Sequence, residues 1–225
     1  MKIVISLGGS VLTKSLTKKN FEKYANIIKK IARNNKVVVV VGGGSTARIY
    51  QKIAKGSRDD LDYIGILSTH LNAKTFSTFF SNCYYIGLKT EREAMKELKR
   101  VFDKYNIFIL AGYDVGHSTD YDSVIAAKTI NADLLINVSN FNGIFDKDPK
   151  RYRDAKILDK IDFDGLIKIV KKLKQRPGEY RLFDLKAARV LKEIKIPAIF
   201  IGNKPSYILK AVKGEKIGTI VLDYV

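Results

Sequence analysis

Apolar positions along this chain follow two alternating periods. Short β-rich runs at residues 3–7, 37–41, 84–86, 107–110, 134–138, 198–201 and 220–222 predict strands. Between them, Phe21, Tyr24, Ile27, Ile28 and Ile31 recur at helical spacing, as do Phe163, Leu166, Ile167, Val170 and Leu173. Both sets predict amphipathic helices. Thr90 with Glu93 forms a capping-box pattern before Met95 and Leu98, and Asp184 is placed to cap a helix over 185–194. Strand and helix alternating in this way predict an α/β fold, a central and mainly parallel sheet with helices on its faces. No internal repeat or low-complexity linker interrupts the pattern, so residues 1–225 are read as one domain.

The least regular stretches, 111–120, 139–153 and 175–183, are rich in Gly, Asp, Asn or Pro. Loops at strand ends are where α/β proteins place function. The first strand runs into Gly8, Gly9 and Ser10, where backbone amides can approach phosphate oxygens, or where a tight turn is simply needed. The valine run ends in Gly42, Gly43 and Gly44, after which Ser45, Thr46, Ala47 and Arg48 begin a helix. An anion at that helix start is favoured over a packing constraint. Neither loop has the spacing of a Walker loop or a dinucleotide fingerprint. A third cluster, Gly112 to Asp120, opens a helix over 124–130 and offers His117, Ser118, Thr119 and Asp120, suited to a phosphate and the hydroxyls of a polar substrate. An ordinary N-cap by Thr119 or Asp120 is the alternative. With His70 as the only other histidine, no metal site is expected. A fourth stretch, from Asn137 through Asn140, Phe145 and Asp148 to Pro149, describes a loop able to clasp a purine and ribose, or a well-capped turn.

Composition adds constraints. Hydrophobic residues make up 46% and charged residues 28%, which excludes disordered and disulfide-scaffold classes. The longest apolar runs are too short to span a bilayer, so neither a membrane anchor nor a signal peptide is expected. A single cysteine, Cys83, excludes an internal disulfide and agrees with a reducing cytoplasm. The formal charge of +18 could serve nucleic acid or small polyanions; without a nucleic-acid motif, small polyanions are the expected partners. The basic stretch 168–181 reads as a solvated helix face.

Taken together, these residues resemble the amino acid kinase superfamily and, within it, the archaeal-type uridylate kinases, over essentially the whole chain. The resemblance is carried by Gly8-Gly9-Ser10; Gly42-Gly43-Gly44 with Ala47, Arg48 and Tyr50; Leu61-Asp62 with Ile64-Gly65 and Leu71-Asn72-Ala73; Gly116 to Asp120; Ala132 to Leu135; Asn140, Gly143 and Asp148-Pro149; and Asp184 with Ala187. It implies a three-layer αβα sandwich with an acceptor lobe over about 1–131 and an ATP lobe over 132–225. It also implies phosphorylation of UMP by ATP with Mg²⁺, and a homo-oligomer, commonly a hexamer in this family. By similarity, Gly8, Gly9 and Ser10 hold the transferring phosphate, with Ser6 and Leu7 lining the same strand end. Gly43, Asp62, Asp114, Val115, Gly116, His117, Ser118, Thr119 and Asp120 hold UMP. Gly44, Arg48, Ser139, Asn140, Phe145 and Asp148 hold ATP, and Asp184 is the acid that organises active-site lysines. Gly9, Ser10 and Asp184 are the catalytic set so implied. The chain departs from the pattern at Ser6, where many members carry lysine and for which Lys14 is the candidate substitute. It departs also at Val115 in place of proline, at Asn142 in place of aspartate, and at Asp122, an added acid read as surface or capping. A same-fold kinase for another small acid or phosphate, and a nucleotide-binding regulator or storage protein without turnover, are the alternatives.

Overall fold

The consecutive valines 37–41 point alternately into two separate cores, Val38 and Val40 into one and Val37, Val39 and Val41 into the other. That alternation is the fold in miniature, because a strand buried on both faces needs no polar position. The computed structural model describes residues 1–172 and 182–223. In chain order the elements are β1 (Lys2–Leu7), α1 (Gly9–Leu12), α2 (Lys18–Ile31), β2 (Lys36–Val41), α3 (Gly44–Ile53), α4 (Arg58–Ser77), β3 (Tyr84–Tyr85), α5 (Glu91–Val101) and β4 (Ile107–Leu110). They continue with α6 (Thr119–Ile130), β5 (Leu134–Val138), β6 (Lys160–Ile161), α7 (Phe163–Lys172), α8 (Leu185–Ile194), β7 (Ala198–Ile201), α9 (Pro205–Val212) and β8 (Thr219–Val221).

The strands form one eight-stranded sheet in the order β3-β4-β2-β1-β5-β7-β8-β6. All neighbours run parallel except β7 and β8. One face is covered by α5, α6, α7 and α8, through residues such as Leu98, Val124, Leu166 and Leu191. The other is covered by α1, α2, α4 and α9, through Leu12, Phe21, Ile28, Phe76 and Ile208. The expected three-layer αβα sandwich is therefore what forms. The chain leaves β1 toward β2 and leaves the neighbouring β5 toward the opposite side of the sheet, which opens a crevice beyond the carboxyl ends of these two strands.

Each strand expected from the sequence forms within a residue of its expected limits. The two-residue β6 was not anticipated; it pairs only with β8 and has no apolar run to announce it. The twenty-residue α4 was also missed. Its buried positions mix Ser68, Thr69, His70 and Asn72 with Ile66, Ala73 and Phe76, so no clean apolar stripe appears, although Ser57 and Asp60 complete a capping box at its start. The Thr90–Glu93 capping box and the Asp184 cap form as expected. At α6 the cap is Ser118, whose hydroxyl accepts from Tyr121 N at 3.3 Å, rather than Thr119 or Asp120, which already belong to the helix. Lys168, Lys171 and Lys172 are exposed on α7, as a solvated face requires; Leu173 and the irregular stretch from 175 to 181 lie outside the described residues.

The loop after β5 is tied to β8 by one buried side chain. Thr219 Oγ1 accepts from Ile144 N at 2.8 Å and donates to the Leu158 carbonyl. Thr219→Val preserves shape and orphans both backbone groups, each worth about 1–3 kcal/mol. Chemical denaturation of that variant is expected to show a stability loss of roughly 2–4 kcal/mol with faster amide exchange at Ile144; an unchanged midpoint would remove Thr219 as the anchor.

Candidate functional site

The glycine loops after β1 and β2 are in backbone-to-backbone contact. A β-carbon on Gly9 would stand 2.5 Å from the Gly42 carbonyl carbon, and one on Gly42 would stand 2.5 Å from Gly9 N. Gly44 has φ of +58° and faces the Gly9 backbone, so a side chain there is excluded twice over. The sequence reading favoured an anion over packing as the reason for the triplet; packing is directly visible for Gly9, Gly42 and Gly44. The two reasons are compatible, since the contact brings the first amides of α1 and α3, which have no intrahelical acceptor, to the same edge of the sheet. Side chains lock this arrangement. Thr13 Oγ1 donates to the Gly9 carbonyl at 2.7 Å and accepts from Ser45 N at 2.8 Å. From α4, Asn72 Nδ2 donates to the carbonyls of Gly42 and Gly43, both at 2.9 Å, while its Oδ1 accepts from Thr46.

Strand alternation places the next set. Ser6 shares the face of Val4, and Asn137 the face of Leu135, and the two are register partners across β1 and β5. Both therefore look toward α6, where Asp120 Oδ1 accepts from Ser6 Oγ at 3.1 Å and from Asn137 Nδ2 at 2.9 Å. Position 6 thus holds a buried hydroxyl tied to an acid. The cation attached to the glycine loops is Arg48, whose Nη1 donates to Ser10 Oγ at 3.2 Å. Lys14 lies exposed just beyond α1.

The segment between β4 and α6 is held from α4. Thr69 Oγ1 accepts from Gly112 N at 2.9 Å, and His70 Nε2 lies 3.0 Å from the Gly112 carbonyl. A carbonyl only accepts, so Nε2 carries the proton and Nδ1 accepts from Tyr85 O–H at 2.8 Å. Asp62 sits half-buried two turns earlier on the same helix. Further along, Asp114 Oδ1 accepts from Glu91 N at 3.3 Å, its carbonyl accepts from His117 N, and Gly116 takes φ of +77°. Val115, at the position where the family pattern has proline, is exposed.

Asp122 corrects an expectation. It is not a surface or capping acid but is 0% exposed, and neither carboxylate oxygen has a hydrogen-bond partner. Burial, reinforced by Glu91, Asp114, Asp120 and Asp184, raises its carboxyl well above the ordinary range. Glu91 is raised as well, by burial, with His117 opposing.

On the other side of β1, Ser139 N donates to the Ile201 carbonyl at 3.0 Å, and Asn140 Oδ1 accepts from Asn203 at 3.1 Å, joining the loops after β5 and β7. Phe145 stands edge-on to Phe141 at 6.4 Å, and Asp148 Oδ1 accepts from Lys150 N at 2.9 Å. Asp184 Oδ1 caps α8 through Ala187 N at 2.9 Å, and its charge reaches Tyr121 and Asp122 at the start of α6. Lys186 lies 5.4 Å over the Tyr121 ring. Thr13, Asn72, Thr69, His70 and Glu91 escaped the sequence reading as site residues, while Asn137 was read only as the first residue of the stretch 137–149. Only Asn72 had a signal, as part of the resemblance; the others depend on which strand ends become neighbours. A surface depression of about 910 Å³ lies at the opposite end of the sheet. Its Lys2 and Lys36 are spent on the carbonyls of Ile130, Phe102 and Tyr105, which marks it as a structural seam.

The His70 clamp generates a pH prediction. Burial pushes its imidazole below the usual 6.5, with the Gly112 carbonyl opposing. A depressed value means the unfolded chain binds the proton first, so the clamp's contribution is complete above about pH 6.5 and is lost as pH falls from there toward the folded value. An NMR titration is expected to find His70 titrating below 6.5, and His70→Gln to flatten the change in thermal midpoint between pH 7.5 and 5.5. Titration at or above 6.5 would refute the clamp.

Residues 1–202 match the amino acid kinase family. A uridylate kinase of Archaeoglobus fulgidus is 35% identical over 224 residues, covering 98% of this chain and 100% of that one. A uridylate kinase of Methanobrevibacter smithii is 33% identical over 226 residues, covering 99% of each. The crystal structure of the A. fulgidus enzyme superposes with a TM-score of 0.86 over 98% of this chain and 100% of that chain. The UMP kinase of Bacillus anthracis, 21% identical with a TM-score of 0.77, shares the fold. Glycine loops, switch point and full-length likeness coincide: the chain belongs to the amino acid kinase family, in its archaeal uridylate kinase branch.

Proposed function

We propose that this protein transfers the γ-phosphoryl group of ATP to UMP, yielding UDP and ADP, as a step of pyrimidine nucleotide synthesis in the cytoplasm. A phosphate oxygen of UMP forms the new bond to the γ-phosphorus as the bond to the β-phosphate bridge breaks, so nothing is oxidised and no covalent enzyme intermediate is required. The observation that carries the reading is the interlock of the two glycine loops beside Arg48, placed at the switch point of the sheet. There, the first amides of α1 and α3 and the Arg48 guanidinium would hold the phosphates in line and take up charge developing on them. Ser10 would orient the transferring group. Asp62 and the loop of Asp114 to Asp120 would hold UMP, with Gly43 admitting its close approach. Gly44, Ser139, Asn140, Phe145 and Asp148 would hold ATP, dividing the chain into an acceptor lobe over about 1–131 and an ATP lobe beyond it.

Mg²⁺ would enter with the ATP phosphates and neutralise their charge. Ser6 Oγ and the Asp120 carboxylate, 3.1 Å apart at this edge, are oxygen donors of the kind that fits a hard cation keeping much of its water. Among the described residues no helix is long and apolar enough to cross a membrane.

Assembly into a homo-oligomer is supported by apolar side chains left in water on two packed helices. Ile49 and Ile53 lie a turn apart on α3, and Tyr63, Leu67 and Leu71 repeat every four residues on α4, with Ile53 76% exposed. Such a face is characteristic of a surface covered by another copy. Replacing Leu67 and Leu71 by glutamate is expected to shift the mass in light scattering toward monomer; an unchanged mass would place the interface elsewhere.

The activity is tested by ADP release from Mg-ATP with UMP, CMP, AMP, GMP and small carboxylic acids as acceptors. UMP-selective turnover is expected. Asp62→Asn, losing a charged hydrogen bond, should raise the KM for UMP by about tenfold to a hundredfold with a smaller effect on kcat. Turnover with a different acceptor, or ATP binding without any turnover, would replace this reading with another substrate or with a regulatory role.

A further inference from the structure

Three side chains from separate elements converge beneath the loop after β4. Glu91 is the first residue of α5, His117 immediately precedes the Ser118 cap of α6, and Asp122 lies within α6. One ligand atom from each lies within 4.8 Å of the other two. His117 Nδ1 and Glu91 Oε2 are 3.4 Å apart, an ion-pair distance when the imidazole is protonated, but their geometry falls short of a hydrogen bond. Asp122 is fully buried and directs an unpartnered carboxylate into the same space.

A carboxylate with no donor is costly at such depth unless a cation or a proton compensates it. Two observations favour a cation with nitrogen affinity. First, tetrahedral ligands at the usual zinc distances are separated by about 3.4 Å, which is the His117–Glu91 spacing. The third ligand atom, an Asp122 carboxylate oxygen, lies within 4.8 Å of the other two, so a short inward movement would close the set on one centre. Second, the donor set is one imidazole and two carboxylates, which suits Zn²⁺ and its first-row neighbours and not the oxygen-seeking Mg²⁺. The surroundings agree, since Asp114, Asp120 and Asp184 all act on Asp122 with the same negative sign in a chain that is otherwise strongly basic.

We propose that Glu91, His117 and Asp122 form a binding site for one divalent transition-metal ion of the zinc class, distinct from the Mg²⁺ that accompanies ATP. The ion staples α5, the loop of Asp114 to Ser118 and α6 to one another. Its occupancy therefore sets the rigidity of that loop, a regulatory consequence that rests on the loop's role in holding the acceptor. The binding site itself does not depend on that role.

The test is metal binding by the full-length protein. Chelator-stripped protein is titrated with Zn²⁺ by calorimetry, with Mg²⁺ in excess as competitor, and its thermal midpoint is followed in parallel. The expected result is one equivalent of Zn²⁺ per chain, undisturbed by Mg²⁺, with a midpoint that rises with Zn²⁺ concentration. Substitution by Co²⁺ should give the visible absorption of a low-symmetry, four-coordinate site, and X-ray absorption should show one imidazole among oxygen ligands. Asp122→Asn and Glu91→Gln should each weaken Zn²⁺ binding at least tenfold. Asp122→Asn should also leave the metal-free protein as stable as before or more so, because it discharges a buried acid. Absence of stoichiometric binding, a cobalt spectrum without imidazole, or unchanged affinity in both variants would overturn the proposal and leave Asp122 as a buried neutral acid. Should one variant fail to fold, the other variant and the spectra of the unmodified protein decide the matter.

Discussion

The backbone contact between the loops after β1 and β2 is the constraint on which the site depends. Two strands of a parallel sheet are about 5 Å apart, and loops leaving both at the same edge collide unless side chains are removed. Gly9, Gly42 and Gly44 remove them. Once the loops touch, α1 and α3 start side by side, and their first amides share one exit from the sheet. Asn72 then serves two ends at once, satisfying the carbonyls of Gly42 and Gly43 and fastening the middle of α4 to the loop. The polar stripe on α4 is a consequence of this duty: a helix that must feed hydrogen bonds to a glycine loop and to Gly112 cannot present only hydrocarbon.

The position beside the first glycine loop shows how a family pattern can shift while the geometry persists. Ser6 cannot supply the charge of a lysine. Its hydroxyl joins Asn137 in anchoring Asp120, and positive charge is brought to the glycine loops by Arg48 through Ser10. Arg48 is also better suited to paired contacts with phosphate oxygens than a lysine would be.

Charge distribution separates the site from the rest of the surface. The chain carries an excess of basic side chains overall, yet Glu91, Asp114, Asp120, Asp122 and Asp184 gather around the start of α6. Basic surroundings attract polyanions, whereas within the acidic cluster Asp122 has no exposed surface while Glu91 and His117 stay partly exposed.

Much of the architecture was legible along the chain. Apolar runs and helical spacing identified all but the two-residue β6 among the described strands, because a parallel sheet buried on both faces writes itself as uninterrupted hydrophobic residues. The glycine loops, the Asp184 cap and the Thr90–Glu93 box were legible for the same reason, each being a local device with a local signal. The helix α4 was not, since its buried face is chosen by loops that lie far away in sequence. Nor did periodicity reveal that Ser6, Asp120 and Asn137 meet, or that Asp122 is buried against Glu91 and His117. Those contacts depend on strand order, which is settled by how helices close over the sheet and not by any window of neighbouring residues. The sequence by itself determined the layers and the loops; the tertiary structure decided which loops became neighbours, and therefore which acids share a buried charge.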